Sequence, residues 1–478
     1  MAESLKSKSI KGVAWTFVES ASLKIIQFVL GVIMARLLMP EDYGIIAIIF
    51  VFITISQIFI DGGFATALIQ DKDKTERDYS TIYTFNIILS VICYLVLYIS
   101  APYISDFYSN DITLYLRVQS LSLVIYAFSA IHKVKLTVEV NFKTIAVVTV
   151  FSSLVSGLIG IYMAYAGFGV WSLIGQYVSA SVITSILYVF ILRWKPVCFF
   201  DTKSFKRLFP FGAKLLTANL IDRVYMNLYP IFVGKFYTPT QLGYYSRAEQ
   251  FSALPAGTCA DIFSRVSFPV LSATKDDVEL VRVYRKFISL SSYLIFPVMF
   301  AVLVLAKPII LLLLTEKWSE IIPLLQILCC GFLLDHISTI NRNLLYVKGR
   351  ADLALKLEII KKVIAIIILF ISLPFGLLGL CAGKAFYGLL AMLLNSAYTK
   401  ILIDVSIFDQ IRDFSPSLSI SLCGTIVAAI PVYMLNNVWL QFIIGGCTFV
   451  AAYILLSLIF KVNAFNQLKN MLGEKLHK

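Results

Sequence analysis

The chain has 478 residues, 59% of them hydrophobic and only 14% charged, with a mean hydropathy of +0.85 and a formal net charge of +13. Soluble globular chains carry about 25% charge, and a water-soluble fold of this composition would expose large apolar patches. A soluble domain is therefore excluded, and a bilayer is the solvent that this surface fits. The eight cysteines (Cys93, Cys198, Cys259, Cys329, Cys330, Cys381, Cys423 and Cys447) are scattered and mostly lie in apolar runs. They form no CxxC or Cys/His pattern, so neither a disulfide framework nor a metal site is expected. The first hydrophobic stretch begins near Ile10, is full length and lacks a small-residue cleavage pattern, so no cleavable signal peptide is expected.

A helix needs roughly 20 apolar residues to cross the hydrocarbon core. Apolar runs and their polar breaks predict about fourteen such helices. In chain order they lie near 10–36, 43–69, 81–104, 113–138, 143–165, 169–192, 209–236, 241–270, 283–306, 319–347, 352–373, 376–402, 413–434 and 438–462. The fourth, seventh, eighth and tenth are the most polar and are expected to line protein or water rather than lipid. The longest connections, near 193–208 and 271–283, are too short to fold as domains, so any chemistry must take place between helices.

The charges between these segments alternate. One set of connections holds Lys6, Lys8, Lys11, Lys72, Lys74, Arg77, Lys133, Lys135, Lys143, Arg193, Lys195, Lys203, Lys206 and Arg207. It continues through Lys275, Arg282, Arg285, Lys286, Arg342, Lys348, Arg350, Lys356, Lys400, Arg412, Lys461, Lys469, Lys475 and Lys478. The other set holds essentially Arg36, Lys235, Lys307 and Lys317. Roughly 28 cations against 4 place the first set in the cytoplasm, with both termini. The basic balance thus reflects topology, and no nucleic-acid partner is expected.

The chain also repeats itself. Ala35-Arg36-Leu37-Leu38-Met39-Pro40-Glu41-Asp42-Tyr43-Gly44 has a counterpart in Gly234-Lys235-Phe236-Tyr237-Thr238-Pro239-Thr240-Gln241-Leu242-Gly243, each with Pro-x3-Gly after a long span. Phe168-Gly169-Val170-Trp171-Ser172-Leu173 has one in Phe375-Gly376-Leu377-Leu378-Gly379-Leu380. The offsets are 199 (35 to 234) and 207 (168 to 375), and the matches run in the same order. Six spans separate each pair, which implies two parallel six-helix lobes about an axis along the membrane normal. The expected fold is an all-α polytopic membrane protein: an N-terminal lobe over 1–195 (spans 1–6), a C-terminal lobe over 196–405 (spans 7–12), a cavity between them, and spans 13 and 14 with a cytoplasmic tail over 406–478.

Several of these stretches carry a family likeness. They are Ala35 to Gly44, Asp61-Gly62-Gly63-Phe64-Ala65-Thr66-Ala67-Leu68-Ile69-Gln70, Leu242 to Gln250, Phe268-Pro269-Val270-Leu271-Ser272, Lys317-Trp318, Asn341, and Lys348-Gly349-Arg350-Ala351-Asp352-Leu353. As a set, over roughly 10–400, the chain resembles the Wzx/WzxC-type oligosaccharide flippases of the multidrug/oligosaccharidyl-lipid/polysaccharide exporter superfamily. One departure is that Val140-Asn141 precede Phe142-Lys143 where such proteins often carry an arginine, so a head-group contact there is not carried over. The resemblance implies an undecaprenyl-diphosphate-linked oligosaccharide, flipped from the cytoplasmic to the periplasmic leaflet of the bacterial inner membrane by alternating access, in the biosynthesis of surface polysaccharide such as lipopolysaccharide. Membrane lipids and a polysaccharide polymerase are its candidate partners; no cofactor, metal or catalytic residue is implied.

Carrying a diphosphate and sugars across an apolar slab requires a hydrophilic, preferably cationic path, because bare charge is expensive there. Lys24 lies near the middle of the first segment, with Ser20 and Gln27 on its face, and Arg223 near the middle of the seventh, between Asn219 and Asn227. Those two segments correspond under the repeat. Lys384 lies inside the twelfth. Lys24, Arg223 and Lys384 are the candidate head-group cations, with Asn219 and Asn227 for sugar hydroxyls. Asp61, Asp335 and His336 are candidates for a coupling ion; proton, sodium and no ion all stay open. Against these stand plainer readings: pairing of Glu19 with Lys24, of Asp222 with a facing lysine and of Asp261 with Arg265, interfacial snorkelling of Lys214 and Lys362, helix capping by Asp61, and a packed, satisfied His336. Tyr244 and Tyr245 could stack on sugars or simply pack, and Pro230, Pro255, Pro297 and Pro323 mark expected kinks.

Two other functions compete. A drug or cation antiporter of the same superfamily needs acidic, aromatic-lined sites, whereas the mid-span excess here is basic. A glycan-processing membrane enzyme needs a nucleotide-binding domain, a carboxylate-rich metal site or a large catalytic loop, and the sequence contains no GxGxxG and no such loop. No enzymatic activity is expected.

Overall fold

The computed structural model describes residues 5–61 and 63–476, with side chains over 15–470. Gly62 and the side chains of Lys6, Lys8, Lys11, Lys475 and Lys478, counted above, lie outside these. Among the described residues there is no strand. The helices are α1 (Leu5–Leu37), α2 (Pro40–Asp61), α3 (Phe64–Gln70), α4 (Glu76–Tyr108), α5 (Thr113–Val138), α6 (Phe142–Tyr165) and α7 (Val170–Leu192). They continue with α8 (Thr202–Met226), α9 (Leu228–Phe236), α10 (Pro239–Ala273), α11 (Asp277–Val304), α12 (Ala306–Leu313), α13 (Ile321–Phe332) and α14 (Asp335–Val347). The last are α15 (Ala351–Ser372), α16 (Gly376–Ile403), α17 (Ile407–Met434), α18 (Val438–Ile459) and α19 (Asn463–Leu476).

Eleven stretches among the described residues are long and apolar enough to cross a membrane, which makes this a multi-pass membrane protein. One of them, 351–403, is broken by a 3-10 turn over Leu373–Phe375 into α15 and α16. The polar helices α8 and α10 are not among the eleven, in keeping with the polarity expected of segments seven and eight. Polar side chains do not stop these helices from forming, because each backbone group is satisfied within its own helix.

Local sequence sets the ends. Asp201 caps α8 by accepting from the Lys203 and Ser204 amides, Asp276 caps α11 at the Glu279 amide, and Ser406 and Asp409 form a reciprocal capping box on α17. Expected kink prolines Pro255 and Pro297 lie inside α10 and α11, while Pro323 sits in the first turn of α13, where no amide is required of it.

The chain divides into two compact units, Met1–Gly243 and Tyr244–Lys478. In the first, α5 packs between α4 and α7, α6 packs on α7, α1 lies on α6, and α8 packs on α2, α3 and α4. In the second, α11 packs on α17, α13 on α16, and α17 on α18. Within the first unit the two Pro-x3-Gly motifs meet. A Cβ on Gly44 would come within 1.7 Å of the Pro239 carbonyl oxygen, and one on Gly243 within 1.9 Å of the Pro40 carbonyl oxygen. Each glycine therefore receives the other motif's proline carbonyl, a reciprocal crossing of two helix starts that no larger residue permits.

Candidate functional site

Three of the expected spans are not continuous, and each break falls beside a candidate charge; the second is α2 and α3, with Asp61 at the end of α2. The seventh is α8 and α9, separated at Asn227, which closes α8 by donating its side-chain amide to the Arg223 carbonyl at 2.8 Å. Arg223 thereby lies in the last turn of α8, where the negative end of the helix dipole favours a cation. The tenth includes α13 and α14, separated at Leu333 and Leu334, and Asp335 opens α14, where the dipole favours an anion. Broken helices expose such termini at membrane depth only where they line protein or water.

In the first unit, Asp61 ends α2 and accepts the Tyr126 hydroxyl of α5 at 2.9 Å. The carboxylate thus serves a partner across helices. Gln57, one turn back on α2, stands at the same phenol, and both Lys133 and Arg223 are within electrostatic reach of Asp61. Arg223, Lys133 and Asn219 are exposed. A guanidinium is costly against hydrocarbon, so water or a polar ligand suits this flank of α8 better than lipid. Lys24 and Gln27 are exposed on α1, whereas Glu19 accepts from Thr149 of α6 at 3.0 Å. Asn227 is half-buried, and one of its two side-chain N–H donors is committed to the helix end, which leaves the other and its carbonyl for a sugar hydroxyl.

The second unit holds its charges differently. Lys384 of α16 donates to the Glu249 carboxylate of α10 and, at 3.0 Å, to the Tyr245 hydroxyl, with the Phe332 ring 5.4 Å from its ammonium. Tyr245 is fully buried and is a packing residue rather than a sugar platform, and Tyr244 donates to the Lys317 carbonyl at 3.3 Å. Asp335 has Lys384, Arg342 and Lys361 as electrostatic neighbours. Glu358 joins two of these, at 2.6 Å from Lys361 and 3.6 Å from Arg342. The cluster therefore pairs three cations with three carboxylates. His336 is buried, 3.0 Å from the Ser292 hydroxyl and edge-on to Phe296. Asp261 and Arg265 are both exposed on α10, and Lys214 and Asp222 on α8.

Sequence reasoning missed Tyr126 and Lys361 and left Glu249 and Lys133 without a role. Lys361 had a legible signal. Leu357, Lys361, Ala365 and Leu369 recur every fourth residue and are all buried, so Lys361 shares the inner face while its neighbour Lys362 does not. Tyr126 likewise aligns with Ser122, Ser129 and Lys133 on one face of α5. Replacing Tyr126 with phenylalanine removes one hydrogen bond to a carboxylate and should cost about 1.5 kcal/mol. A thermal melt of the purified variant reads this directly; an unchanged melting temperature would mean Asp61 does not depend on that hydroxyl.

Residues 33–323 match the polysaccharide biosynthesis protein family. The chain belongs to that family. Among similar family proteins, the teichuronic acid biosynthesis protein TuaB of Bacillus subtilis is 29% identical over 360 residues, covering 73% of this chain and 74% of that protein. The lipopolysaccharide biosynthesis protein WzxC of Escherichia coli is 24% identical over 362 residues, covering 75% and 74%. Among solved structures, the fold is similar to that of the lipid II flippase MurJ in an inward closed conformation, with a TM-score of 0.76 at 17% identity over 94% of this chain and 98% of that one. An inward-facing multidrug resistance MATE transporter of the MOP superfamily is similar with a TM-score of 0.63 at 16% identity, covering 80% and 94%. At these identities the likeness is one of fold, which this polysaccharide biosynthesis protein shares with both structures.

Proposed function

We propose that this chain is a flippase that moves a lipid-linked oligosaccharide across the membrane, with undecaprenyl diphosphate as carrier and both chain termini in the cytoplasm. The observation that carries the reading is the polar flank of α8, where Arg223 sits exposed at a helix end beside Asp61 and Lys133. A diphosphate is doubly served there, by the guanidinium and by the Lys133 ammonium. Asp61, held by Tyr126, is the resident counter-anion that balances these cations once the head group leaves. Lys24 adds a further exposed cation on α1 for the same cargo, and the exposed Asn219 offers a neutral amide for sugar hydroxyls. The lipid tail stays in the bilayer, so only the polar head needs a hydrophilic path. Alternating access of the lobes 1–195 and 196–405 exposes that path to one side at a time, and α17 and α18 trail behind them. The charge-balanced cluster around Lys384 and Asp335 is the coupling or structural element, and a polymerase receives the flipped product. No chemical bond changes in this cycle.

The test is leaflet accessibility of the lipid-linked oligosaccharide in cells depleted of the protein and rescued by wild type or by Lys24→Ala with Arg223→Ala. Depletion should trap the glycolipid on the cytoplasmic side, and the double variant, at normal membrane levels, should lose tenfold or more of the rescue, about 1.4 kcal/mol or more. Glycolipid reaching the outer leaflet normally after depletion would overturn the function; full rescue by the variant would overturn the site alone.

A further inference from the structure

A cavity of about 720 Å³ in the second unit plays no part in the reading above. It lies where α11, α17 and the turn from α18 into α19 meet, and its polar wall holds Arg285, Arg412 and Lys461 with Ser289, Ser417 and Ser419. Asp413 is the carboxylate in that wall, and it is engaged: both its oxygens accept from Arg285, at 2.8 and 2.7 Å. The nearby Asp409 is held by the Ser406 cap. No ion pair joins Arg412 or Lys461 to a carboxylate among the described residues, so the wall carries a net charge of +2 (three cations, one anion).

The position of Lys461 is a second, independent observation. Its φ is 46°, in the left-handed region that glycine adopts without strain and a lysine does not. The turn it makes is a helix stop, with the Val462 amide returning to the Ser457 carbonyl at 3.2 Å. This backbone favours glycine, and the residue present instead puts an ammonium on the cavity wall. Beyond the polar wall the lining turns apolar through Ile420, Cys423 and Phe460, and the α17 flank stays apolar and exposed at Leu422 and Ile426. Cations at one end and an open apolar lane leading away are the two halves of an amphiphile's site.

We propose that this cavity binds the phosphate head group of an anionic membrane lipid, with Arg412 and Lys461 as its ligands and Arg285 fixed beside them by Asp413. The lipid's acyl chains lie along α17. The head group then ties α19 to the body of the unit, to which Val462, Ala464, Phe465 and Leu468 already bind through Tyr293, Ile420 and Tyr453. This site is separate from the α8 flank and does not depend on the flippase reading.

The experiment is thermal unfolding and native mass spectrometry of the full-length protein in detergent, with added phosphatidylglycerol, phosphatidylcholine or inorganic phosphate. Phosphatidylglycerol should raise the melting temperature and stay bound, while phosphatidylcholine and inorganic phosphate should do neither. Arg412→Gln with Lys461→Gln should weaken the apparent lipid affinity roughly 25-fold, from about a fivefold loss per cation. Lys461→Gly separates binding from folding, since it relaxes the backbone while removing the ammonium. It should match or exceed wild type without lipid and lose most of the lipid response. Equal protection by phosphatidylcholine, equal protection by inorganic phosphate, or an undiminished lipid response in the variants would each overturn the proposal.

Discussion

Gly44→Ala is expected to destabilise the protein by about 3 kcal/mol, at the upper end of the usual cost of overpacking. The added methyl would lie 1.7 Å from the Pro239 carbonyl oxygen, and the obstacle is backbone, so no rotamer change relieves it. Gly243→Ala should behave alike, because its methyl meets the Pro40 carbonyl oxygen at 1.9 Å. Both prolines start a helix, where the missing amide costs nothing, and both leave a carbonyl pointing at the other motif's glycine. Gly257→Ala is the control. Nothing lies within 4 Å of a Cβ there, and alanine is the better helix former by about 1 kcal/mol. Melting temperatures from fluorescence-detected size-exclusion chromatography would read all three; if Gly44→Ala melted like Gly257→Ala, the reciprocal crossing would be wrong.

Lys384→Met should cost on the order of 2–4 kcal/mol, because it strands the Glu249 carboxylate that the ammonium now neutralises. Glu249→Gln should be damaging for the mirror reason. The double variant Lys384→Met with Glu249→Gln should recover most of the loss, since a neutral pair asks little of its surroundings. This cycle separates the two roles open to Lys384. A structural partner of Glu249 gives single variants that melt early and a double variant that melts near wild type. A cation kept for a passing head group gives single and double variants that keep their melting temperature and lose transport. The hydrogen bond to the buried Tyr245 favours the first outcome.

The membrane class, the helical fold and the approximate ends of the helices follow from the order of residues alone. The reason is that a bilayer is an external solvent, so its demands act on each segment separately: length, apolarity and a satisfied backbone. The Pro-x3-Gly repeat was legible for a similar reason, since a proline start and a glycine contact need those residue types whatever the surroundings. Arg223, Asp335 and Lys384 were also visible one by one, as charges at depth. Their partners were not. Tyr126 meets Asp61 across 65 residues and Glu249 meets Lys384 across 135, and nothing local to either position encodes the encounter. The breaks at Asn227 and at Leu333–Leu334 were hidden because Asn227 is a permissible helix residue and the two leucines are good ones. Only tertiary packing decided where those helices stop. It thereby decided which charges stand at a helix end, which are paired across helices, and which, like Arg223, are left exposed.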